Sequence, residues 1–398
     1  MGWACERPAA MQASRHKRNA TEDAERVGIA VTVSYLLINR LVVENLRSRP
    51  VRTLVSALAI GVQVAMVLTL VGLSRGMVED AQQRARGVGA DIVIRPPGSA
   101  VFSFSGTFSD STLTTVRQEP GIAVATGTFV YSIGGVNSVT GINLAEFNAM
   151  SGGFHFQEGR PFTGPDDIVI DEIFARENHK HAGDRIELMN REWRVAGVVE
   201  SGLLSRAFID LARLQDLTAN NGRLSAIYVK LTDRSRTAAA VADLKAGLPG
   251  FPVYSMQDFI SLLTESNVPM LRTFTRVIIG IGTLVGFLVV FLSMYTAVLE
   301  RTREIGILKA LGGSPWFILN TLLRETVLLA LVGSVLGIGM TYGVRLLIKV
   351  FAPMMVTVIV PDWWPIATAI SVVGALCGAL YPGLRAARHD VVEALAYE

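Results

Sequence analysis

The sequence contains little cysteine and little histidine. Only two cysteines and five histidines occur among its 398 residues. Cys5 lies in a polar tail and Cys377 in an apolar run, so we predict neither a disulfide between them nor a cysteine metal site. His179 and His181 lie in a polar stretch without an acidic cluster at metal-ligand spacing, and we interpret both as surface residues. The sequence therefore indicates no metal site.

Neither of two common arrangements of enzyme chemistry is complete in the sequence. No Gly-x-x-x-x-Gly-Lys-Ser/Thr occurs, so there is no phosphate-binding loop. No serine lies in a nucleophile-elbow pattern with triad partners. We therefore predict no catalytic residue and no cofactor in this chain, and any ATP-driven activity would depend on ATP and Mg bound by a partner ATPase. The net charge of +3 and the lack of a basic face with interleaved aromatic residues exclude nucleic acid as the expected partner.

A short acidic group is the remaining candidate for chemistry in the polar part of the chain. It consists of Asp166, Asp167, Asp171 and Glu172. Calcium prefers such oxygen ligands, but the glycine-centred loop of a calcium site is missing. We therefore interpret the group as a solvated turn and strand end.

Apolar residues dominate the rest of the chain, with 50% of residues hydrophobic and 18% charged. This balance is typical of a membrane protein with a sizeable aqueous domain. A bilayer crossing needs about 20 apolar residues. We predict transmembrane helices over 53–74, 274–298, 317–344 and 364–380. The predicted fold class is a membrane protein of four transmembrane α-helices, with a large α+β extracytoplasmic domain (77–273) inserted between helices 1 and 2.

Basic residues set the predicted orientation, because positive charge accumulates on the cytoplasmic side of membrane proteins. They precede the first apolar run, lie between the second and third, and follow the fourth, which places both termini in the cytoplasm. Residues 1–34 read as a polar cytoplasmic tail without a secretory signal, and 35–52 as an interfacial amphipathic helix. Residues 381–398 are predicted to form a cytoplasmic C-terminal tail. The basic residues are Arg40, Arg47, Arg49, Arg52, Arg301, Arg303, Lys309, Arg385 and Arg388.

The insert alternates between strand-like and helix-like patterns. Apolar alternation on both sides of Asn190–Arg191 predicts a β-hairpin. The last segment, 256–272, is predicted to be helical and to run into the second transmembrane helix as a stalk. The other predicted strands are 90–95, 167–170 and 226–231, and the other predicted helices are 211–217 and 237–248.

The polar break at 299–315 is more elaborate than a plain turn between two apolar runs. Its charged residues are interleaved with an apolar stripe, and Gly312, Gly313 and Pro315 are helix-stop signals. We predict a cytoplasmic amphipathic helix that a partner protein binds, the alternative being an ordinary basic loop. The predicted stripe is Ile305, Ile307, Leu308 and Leu311. The candidate contact residues are Glu300, Arg301, Arg303, Glu304, Ile305, Gly306, Ile307, Leu308, Lys309 and Gly312.

Glycine spacing and one carboxylate are notable inside the apolar runs. Pairs of glycines four residues apart let membrane helices approach closely, although glycine is also common in such helices. Glu325 is a candidate functional carboxylate, since an ionisable residue in a membrane helix is costly. The alternative is that Glu325 is neutralised at the interface by Arg324. The glycine pairs are Gly282 with Gly286, Gly333 with Gly337, and Gly374 with Gly378.

Four segments together carry a family resemblance. They are 45–54 before the first apolar run, 300–314 (ERTREIGILKALGGS), 323–337 around Glu325, and 381–395, where valine stands at the position of a usual proline. These segments resemble the FtsX-like permease family of ABC transporters, which includes macrolide-exporter and lipoprotein-releasing permeases. The resemblance covers most of the chain, with a permease domain over 274–390 and a MacB-like periplasmic core domain in the insert.

The resemblance implies the permease subunit of an ABC-type exporter in a bacterial inner membrane. Such a subunit would couple ATP hydrolysis by a separate ATPase to movements of its extracytoplasmic domain, a mechanism called mechanotransmission, to extrude or extract a lipid, lipoprotein, peptide or drug. The implied partners are the ABC ATPase subunit bound at 299–315, a second permease copy or paralogue, the lipid membrane and, optionally, a periplasmic adaptor. The alternatives are a regulatory mechanotransmitter that activates a cell-wall hydrolase, which the long insert disfavours, and a membrane-embedded hydrolase.

Overall fold

The structure is a computed structural model that describes Glu44, Arg47 and residues 50–99, 106–134, 137–264, 269–312 and 314–388. The predicted tail 1–34, most of the predicted interfacial helix 35–52 and the end of the C-terminal tail lie outside the described residues. The chain divides into two compact units. We call them the helical unit, which contains Ile278–Thr341, Pro361–Glu398 and the chain up to Leu68, and the sheet unit, which contains Thr69–Val277 and Tyr342–Val360.

Eleven α-helices occur in the described part of the chain. Among them, α1, α8, α10 and α11 as defined below are long and apolar enough to cross a membrane, which confirms the prediction of four spans. The helices are α1 (Pro50–Gly87), α2 (Ser111–Arg117), α3 (Leu144–Ser151), α4 (Glu172–Asn178), α5 (Leu211–Leu217), α6 (Thr237–Gly247), α7 (Met256–Leu262), α8 (Pro269–Glu300), α9 (Thr302–Ala310), α10 (Pro315–Phe351) and α11 (Trp364–Arg388).

The long helices extend beyond the apolar runs that predicted them. Helix α1 begins at Pro50, which is a favourable residue in a first helical turn, and continues to Gly87. Helix α11 continues to Arg388 although it contains Pro382. Because Ala386 and Ala387 are buried, packing supports this last part of the helix, which the sequence assigned to a tail.

The predicted stalk is not one continuous helix. Helix α7 ends at Leu262, and Leu263 and Thr264 are not helical. Helix α8 then begins at Pro269. Proline is a favourable residue in the first turn of a helix, which agrees with the start of α8 at Pro269.

Twelve strands lie in the described part of the insert, and ten of them form one mixed sheet. Its order is β12-β1-β11-β3-β4-β9-β6-β8-β5, with β7 paired to β8, while β2 and β10 pair separately. This sheet with its helices confirms the predicted large domain between the first two apolar helices. The strands are β1 (Ile92–Ile94), β2 (Phe108–Ser109), β3 (Ile122–Gly134), β4 (Asn137–Ile142), β5 (Phe156–Gly159), β6 (Asp167–Asp171), β7 (Arg185–Leu188), β8 (Arg191–Val199), β9 (Ala207–Asp210), β10 (Arg223–Leu224), β11 (Ala226–Leu231) and β12 (Val253–Ser255).

Two local features of the sheet bear on the sites below. The hairpin predicted at Asn190–Arg191 is confirmed, since β7 and β8 pair with Leu188 opposite Arg191. Met189 and Asn190 both have a φ of 57°, the left-handed geometry of a tight hairpin turn. Strand β6 is buried along its whole length, so the aspartates at its two ends are buried as well.

Candidate functional site

Helix α9 follows α8 after a single intervening residue, Arg301. Its first hydrogen bond runs from the Ile305 N–H to the Arg301 carbonyl at 2.9 Å. At the other end, the Gly312 N–H donates to the Lys309 carbonyl at 2.9 Å, and Gly312 has a φ of 93°. This left-handed glycine is a common helix ending, so the stop signal read from the sequence acts where it was predicted.

The outward face of α9 combines charge with apolar surface. Arg303, Ile307 and Leu311 lie four residues apart, which places them on one stripe, and all three are exposed. Ile307 is 46% exposed and Leu311 is 80% exposed. Glu304 is exposed next to this stripe. We call Arg303, Glu304, Ile307 and Leu311 the docking face.

Not all of the predicted contact residues lie on this face. Gly306 is buried, and Ile305 and Lys309 are half-buried. The side chain of Leu308 lies outside the described residues. The apolar stripe predicted from the sequence therefore divides: Ile307 and Leu311 point outward, while Ile305 is partly covered.

The prediction that Arg301 contacts a partner protein was wrong, because Arg301 is buried. Arg301 is only 7% exposed, and its Nη1 lies 3.4 Å from Oε2 of Glu325. Glu325 is 1% exposed, and a buried carboxylate needs a nearby cation to offset its desolvation. Arg301 therefore belongs to the interior of the helical unit rather than to the docking face.

A second arginine, Arg52, also lies beside Glu325, and the sequence did not predict this pair. Nη2 of Arg52 lies 3.7 Å from Oε1 of Glu325, and Nη1 of Arg52 lies 3.3 Å from Oε2 of Glu300. The expected neutraliser, Arg324, donates from Nε to Oδ1 of Asn320 at 3.3 Å. We call Arg52, Glu300, Arg301 and Glu325 the helical-unit cluster. The sequence did contain a hint of this ion pair: Arg52 directly precedes the first predicted transmembrane helix, and Glu325 lies inside the third.

The predicted packing glycines lie at close helix contacts. A Cβ on Gly333 would lie 2.7 Å from Cβ of Ile60, and one on Gly337 would lie 2.6 Å from the carbonyl oxygen of Gly61. A Cβ on Gly378 would lie 2.7 Å from the Phe287 carbonyl oxygen. Distances this short mean that a larger residue displaces backbone or rigid side chains.

The predicted packing glycines of α8 also lie at close contacts between helices, whereas Gly374 of α11 does not. Gly286 lies directly beneath the Gln63 side chain, and Gly282 beneath the end of Met66. Gly374 is less crowded, because a Cβ there would lie 3.6 Å from Cγ2 of Thr283, an ordinary contact distance.

The sheet unit contains a second buried group of charges. Arg206 donates from Nη1 to Oδ2 of Asp171 at 3.1 Å and from Nη2 to Oδ2 of Asp80 at 3.0 Å. Nε of Arg84 lies 3.1 Å from the same Asp80 oxygen. We call Asp80, Arg84, Asp171 and Arg206 the sheet-unit cluster. Burial raises the pKa of Asp171 to about 6, although Arg206 and the Phe174 N–H favour the charged carboxylate.

Asp167, at the other end of β6, is held differently. Arg194 Nε donates to its Oδ1 at 2.8 Å, and the Gly164 and Thr163 N–H groups donate to its Oδ2 at 2.9 and 3.1 Å. Burial alone raises the pKa of Asp167, but these donors outweigh burial and bring the pKa below its usual value. The interpretation of Asp167 and Asp171 as solvated residues was therefore wrong.

The part of the chain that the structure describes contains no cluster of metal-ligating side chains. There, no group of three or more histidine, cysteine, aspartate or glutamate residues could hold an ion. His179 and His181 are exposed, as predicted. Nδ1 of His181 lies 3.2 Å from Oε1 of Glu158, also exposed.

The four long apolar helices and the sheet domain inserted between the first two of them define a membrane protein with a large folded insert. Comparison with protein families agrees. The MacB-like periplasmic core domain matches residues 53–246, and the FtsX-like permease C-terminal domain matches residues 276–391. The chain belongs to the FtsX-like permease family.

Individual relatives are distant in sequence but long in coverage. The macrolide export ATP-binding/permease protein MacB of Escherichia coli is 25% identical over 387 residues, which are 89% of this chain and 59% of that protein. An uncharacterized ABC transporter permease of Mycobacterium tuberculosis is 25% identical over 341 residues, 83% of this chain and 91% of that protein. The periplasmic region of MacB from Actinobacillus actinomycetemcomitans aligns with 45% of this chain and 94% of its own at 18% identity and a TM-score of 0.36. The chain thus spans 59% of the length of the MacB relative.

Proposed function

We propose that this chain is the permease subunit of an ABC-type exporter in a bacterial inner membrane, and that a separate ATPase subunit supplies ATP hydrolysis. The names of two relatives support the permease assignment, one an ABC transporter permease and the other a macrolide export ATP-binding/permease protein. The sequence itself contains no phosphate-binding loop. ATP and Mg therefore belong to the partner in this proposal.

The observation that carries the proposal is the docking face of α9. Ile307 at 46% and Leu311 at 80% exposure are large apolar side chains beside Arg303 and Glu304. Apolar anchors at helical spacing, bordered by charges, are the pattern by which a helix binds in a partner's groove. The apolar anchors would supply affinity, and the charges would set the orientation of the partner.

The rest of the assignment follows from topology and family. Both termini and α9 lie in the cytoplasm in this proposal, and the sheet unit lies outside it. Two copies of the chain, or the chain and a paralogue, would work with the ATPase, and a periplasmic adaptor is an optional further partner. Movement of the ATPases on ATP binding and hydrolysis would reach the sheet unit through the helices and so extrude or extract a lipid, lipoprotein, peptide or drug.

The test is co-purification of the ATPase with a charge-reversed docking face. The full chain is purified from membranes, and the associated ATPase is identified by mass spectrometry and quantified. The double variant Arg303→Glu with Glu304→Arg keeps the net charge but inverts the pair, so we expect at least about a tenfold loss of bound ATPase, the order of effect of a reversed interface charge pair. The matched control is Arg185→Glu with Glu192→Arg, an exposed pair 2.9 Å apart in the sheet unit.

The two variants separate docking from general damage. We expect the hairpin control to retain the ATPase and its stimulated hydrolysis. Equal recovery of a fully stimulated ATPase with the reversed docking face would overturn the proposed role of α9. Activation of a cell-wall hydrolase without movement of any lipid, peptide or drug would replace export by the regulatory function.

A further inference from the structure

We infer that Glu325 is a positioning residue that holds α9 in the orientation needed for productive contact with the ATPase, through ion pairs with Arg301 and Arg52. The inference rests on the proposed function, because it assigns α9 to the ATPase contact. It goes further by separating two roles: the docking face binds the partner, whereas the buried carboxylate fixes the helix that presents this face.

The geometry shows one carboxylate that joins three segments. Its Oε2 lies 3.4 Å from Nη1 of Arg301, and its Oε1 lies 3.7 Å from Nη2 of Arg52. Arg52 is in the first turn of α1, Arg301 separates α8 from α9, and Glu325 is in α10. Because the two oxygens engage different segments, Glu325 fixes the start of α9 against two other helices.

Arg301 is well placed to set the direction of α9. It is the single residue between α8 and α9, and its carbonyl accepts the first backbone hydrogen bond of α9 from Ile305. The Thr302 hydroxyl donates back to the carbonyls of Val298 at 3.1 Å and Leu299 at 2.9 Å. These hydrogen bonds restrain the backbone between α8 and α9. The ion pair of Arg301 with Glu325 adds a restraint on the direction of α9.

Burial determines which carboxylate of the helical-unit cluster contributes most to holding α9. The Glu325 side chain is 2% exposed, whereas the Glu300 side chain is 46% exposed. An ion pair in water contributes little, but a buried one is lost at high cost when a single partner is removed. Removal of the Glu325 charge leaves Arg301, itself 8% exposed at the side chain, without this buried counter-ion.

The first experiment needs no ATPase. Hydrogen–deuterium exchange of the amides of 302–310 is measured on the full chain in lipid nanodiscs for wild type, Glu325→Gln and Glu325→Asp. We expect Glu325→Gln to speed exchange at least about tenfold, the order expected from loss of one hydrogen bond to a charged group. Glu325→Asp keeps the carboxylate, so its exchange should lie between the two.

The matched control removes a buried hydrogen bond between α10, the helix of Glu325, and α11, without touching the cluster. Ser371→Ala breaks the 2.9 Å contact between the Ser334 and Ser371 hydroxyl groups. We expect this variant to leave exchange over 302–310 at the wild-type rate. An equal increase in Glu325→Gln and Ser371→Ala would reduce Glu325 to a general stabilising residue and overturn the inference.

The second experiment uses the chain with its co-purified ATPase. We expect Glu325→Gln to keep the ATPase bound, because the docking face is unchanged, but to lower stimulated hydrolysis at least about tenfold. Glu325→Asp should recover part of that stimulation. The reversed docking face described above should lose the ATPase itself, which gives the opposite pattern.

The outcomes distinguish the inference from the proposed function. Unchanged exchange over 302–310 in Glu325→Gln overturns the inference, whatever the ATPase does. Faster exchange with full stimulation also overturns the inference, because the orientation of α9 would then not be needed for productive contact. The proposed function fails by a different result, namely a fully stimulated ATPase bound to the reversed docking face. Should Glu325→Gln unfold, the milder Arg301→Lys and Glu325→Asp carry the same test, and wild-type exchange in both would count against the inference.

Discussion

The helical unit and the sheet unit each contain a row of four alternating charges, and the two rows differ in where the most buried carboxylate lies. The pairs run in the order Glu300, Arg52, Glu325 and Arg301 in the helical unit, and Arg84, Asp80, Arg206 and Asp171 in the sheet unit. Each row has two arginines and two carboxylates. Both rows include residues of α1, Arg52 in one and Asp80 with Arg84 in the other.

Position in the row decides how many arginines of the cluster contact the buried carboxylate. Glu325 is an interior member with an arginine on either side, whereas Asp171 is an end member paired with Arg206. Both carboxylate side chains are 2% exposed. Burial raises the pKa of Asp171 to about 6 against the opposing effect of that arginine. The two equally buried carboxylates therefore differ in the arginines that contact them, Arg52 and Arg301 for Glu325 and Arg206 for Asp171.

The largest expected effect comes from removal of the interior cation of the sheet-unit cluster. Arg206→Met keeps an apolar stem but removes the arginine that both Asp80 and Asp171 contact. We expect a loss of about 3–5 kcal/mol in the opening free energy of β6 and β9, the usual cost of a broken buried ion pair. Hydrogen–deuterium exchange of these strands in the full chain measures it.

Arg185→Met is the matched control for Arg206→Met. Arg185 is 77% exposed in its pair with Glu192, so we expect a change of less than about 1 kcal/mol. A similar small change in Arg206→Met would mean that the sheet-unit cluster does not behave as a buried cluster, and the comparison between the two units would fail.

A smaller effect is expected from the two aspartates of β6, which test compensation within one strand. Asp167→Asn weakens the contacts with Arg194 and with two backbone N–H groups, and we expect a loss of about 1–3 kcal/mol at pH 7.5. Asp171→Asn should lose less than about 1 kcal/mol, because its side-chain oxygen can still accept from the Phe174 N–H and the substitution removes a charged carboxylate that burial destabilises. Exchange of β6 amides ranks the two variants, and the reverse order would contradict the pKa directions.

The fold was largely predictable from the sequence because its signals are local. The bounds of α5 and β11 agree with the predicted 211–217 and 226–231, since apolar periodicity and flanking turn residues define both elements. The prediction of a continuous helix over 256–272 was wrong, because Leu263 and Thr264 are not helical, a break that the amphipathic pattern does not show.

The charge clusters were only half predictable. Glu325 could be singled out, because a carboxylate in an apolar run is unusual, but its partner Arg52 lies in another helix far away in sequence and reads there as a topology residue. Asp167 and Asp171 were assigned to solvent because most aspartates are exposed. Their burial depends on β6 lying between β9 and β8, which only the sheet order reveals.

The pH dependence of Asp171 sharpens the comparison at a scale of about 1 kcal/mol. Its folded pKa of about 6 lies above the ordinary value of about 4, so the folded state binds the proton more strongly than the unfolded state does. The stability from this proton is fully present below about pH 4 and is lost as the pH rises through about 6. Relative to Asp171→Asn, we expect the wild-type sheet unit to gain about 1 kcal/mol between pH 7 and pH 5.

Asp167 provides the opposite sign in the same experiment. Its folded pKa is lowered, so its contribution is present above the ordinary pKa of about 4 and is lost as the pH falls through the lower folded value. We therefore expect the difference between wild type and Asp167→Asn to stay constant between pH 7 and pH 5. Exchange of β6 amides in the full chain at both pH values measures the two trends, and parallel trends in the two variants would contradict the assignment.

The smallest expected effect is that of Glu300→Gln, the exposed end of the helical-unit cluster. Glu300 lies 3.3 Å from Arg52, closer than the 3.7 Å between Arg52 and Glu325, but its side chain is 46% exposed. If burial rather than distance determines the contribution, Glu300→Gln should change the opening free energy of 302–310 by less than about 1 kcal/mol. Hydrogen–deuterium exchange of the amides of 302–310, measured in Glu300→Gln and in Glu325→Gln, decides between burial and distance. Equal effects of the two variants would mean that distance ranks these pairs, and the contrast drawn between the two units would lose its physical basis.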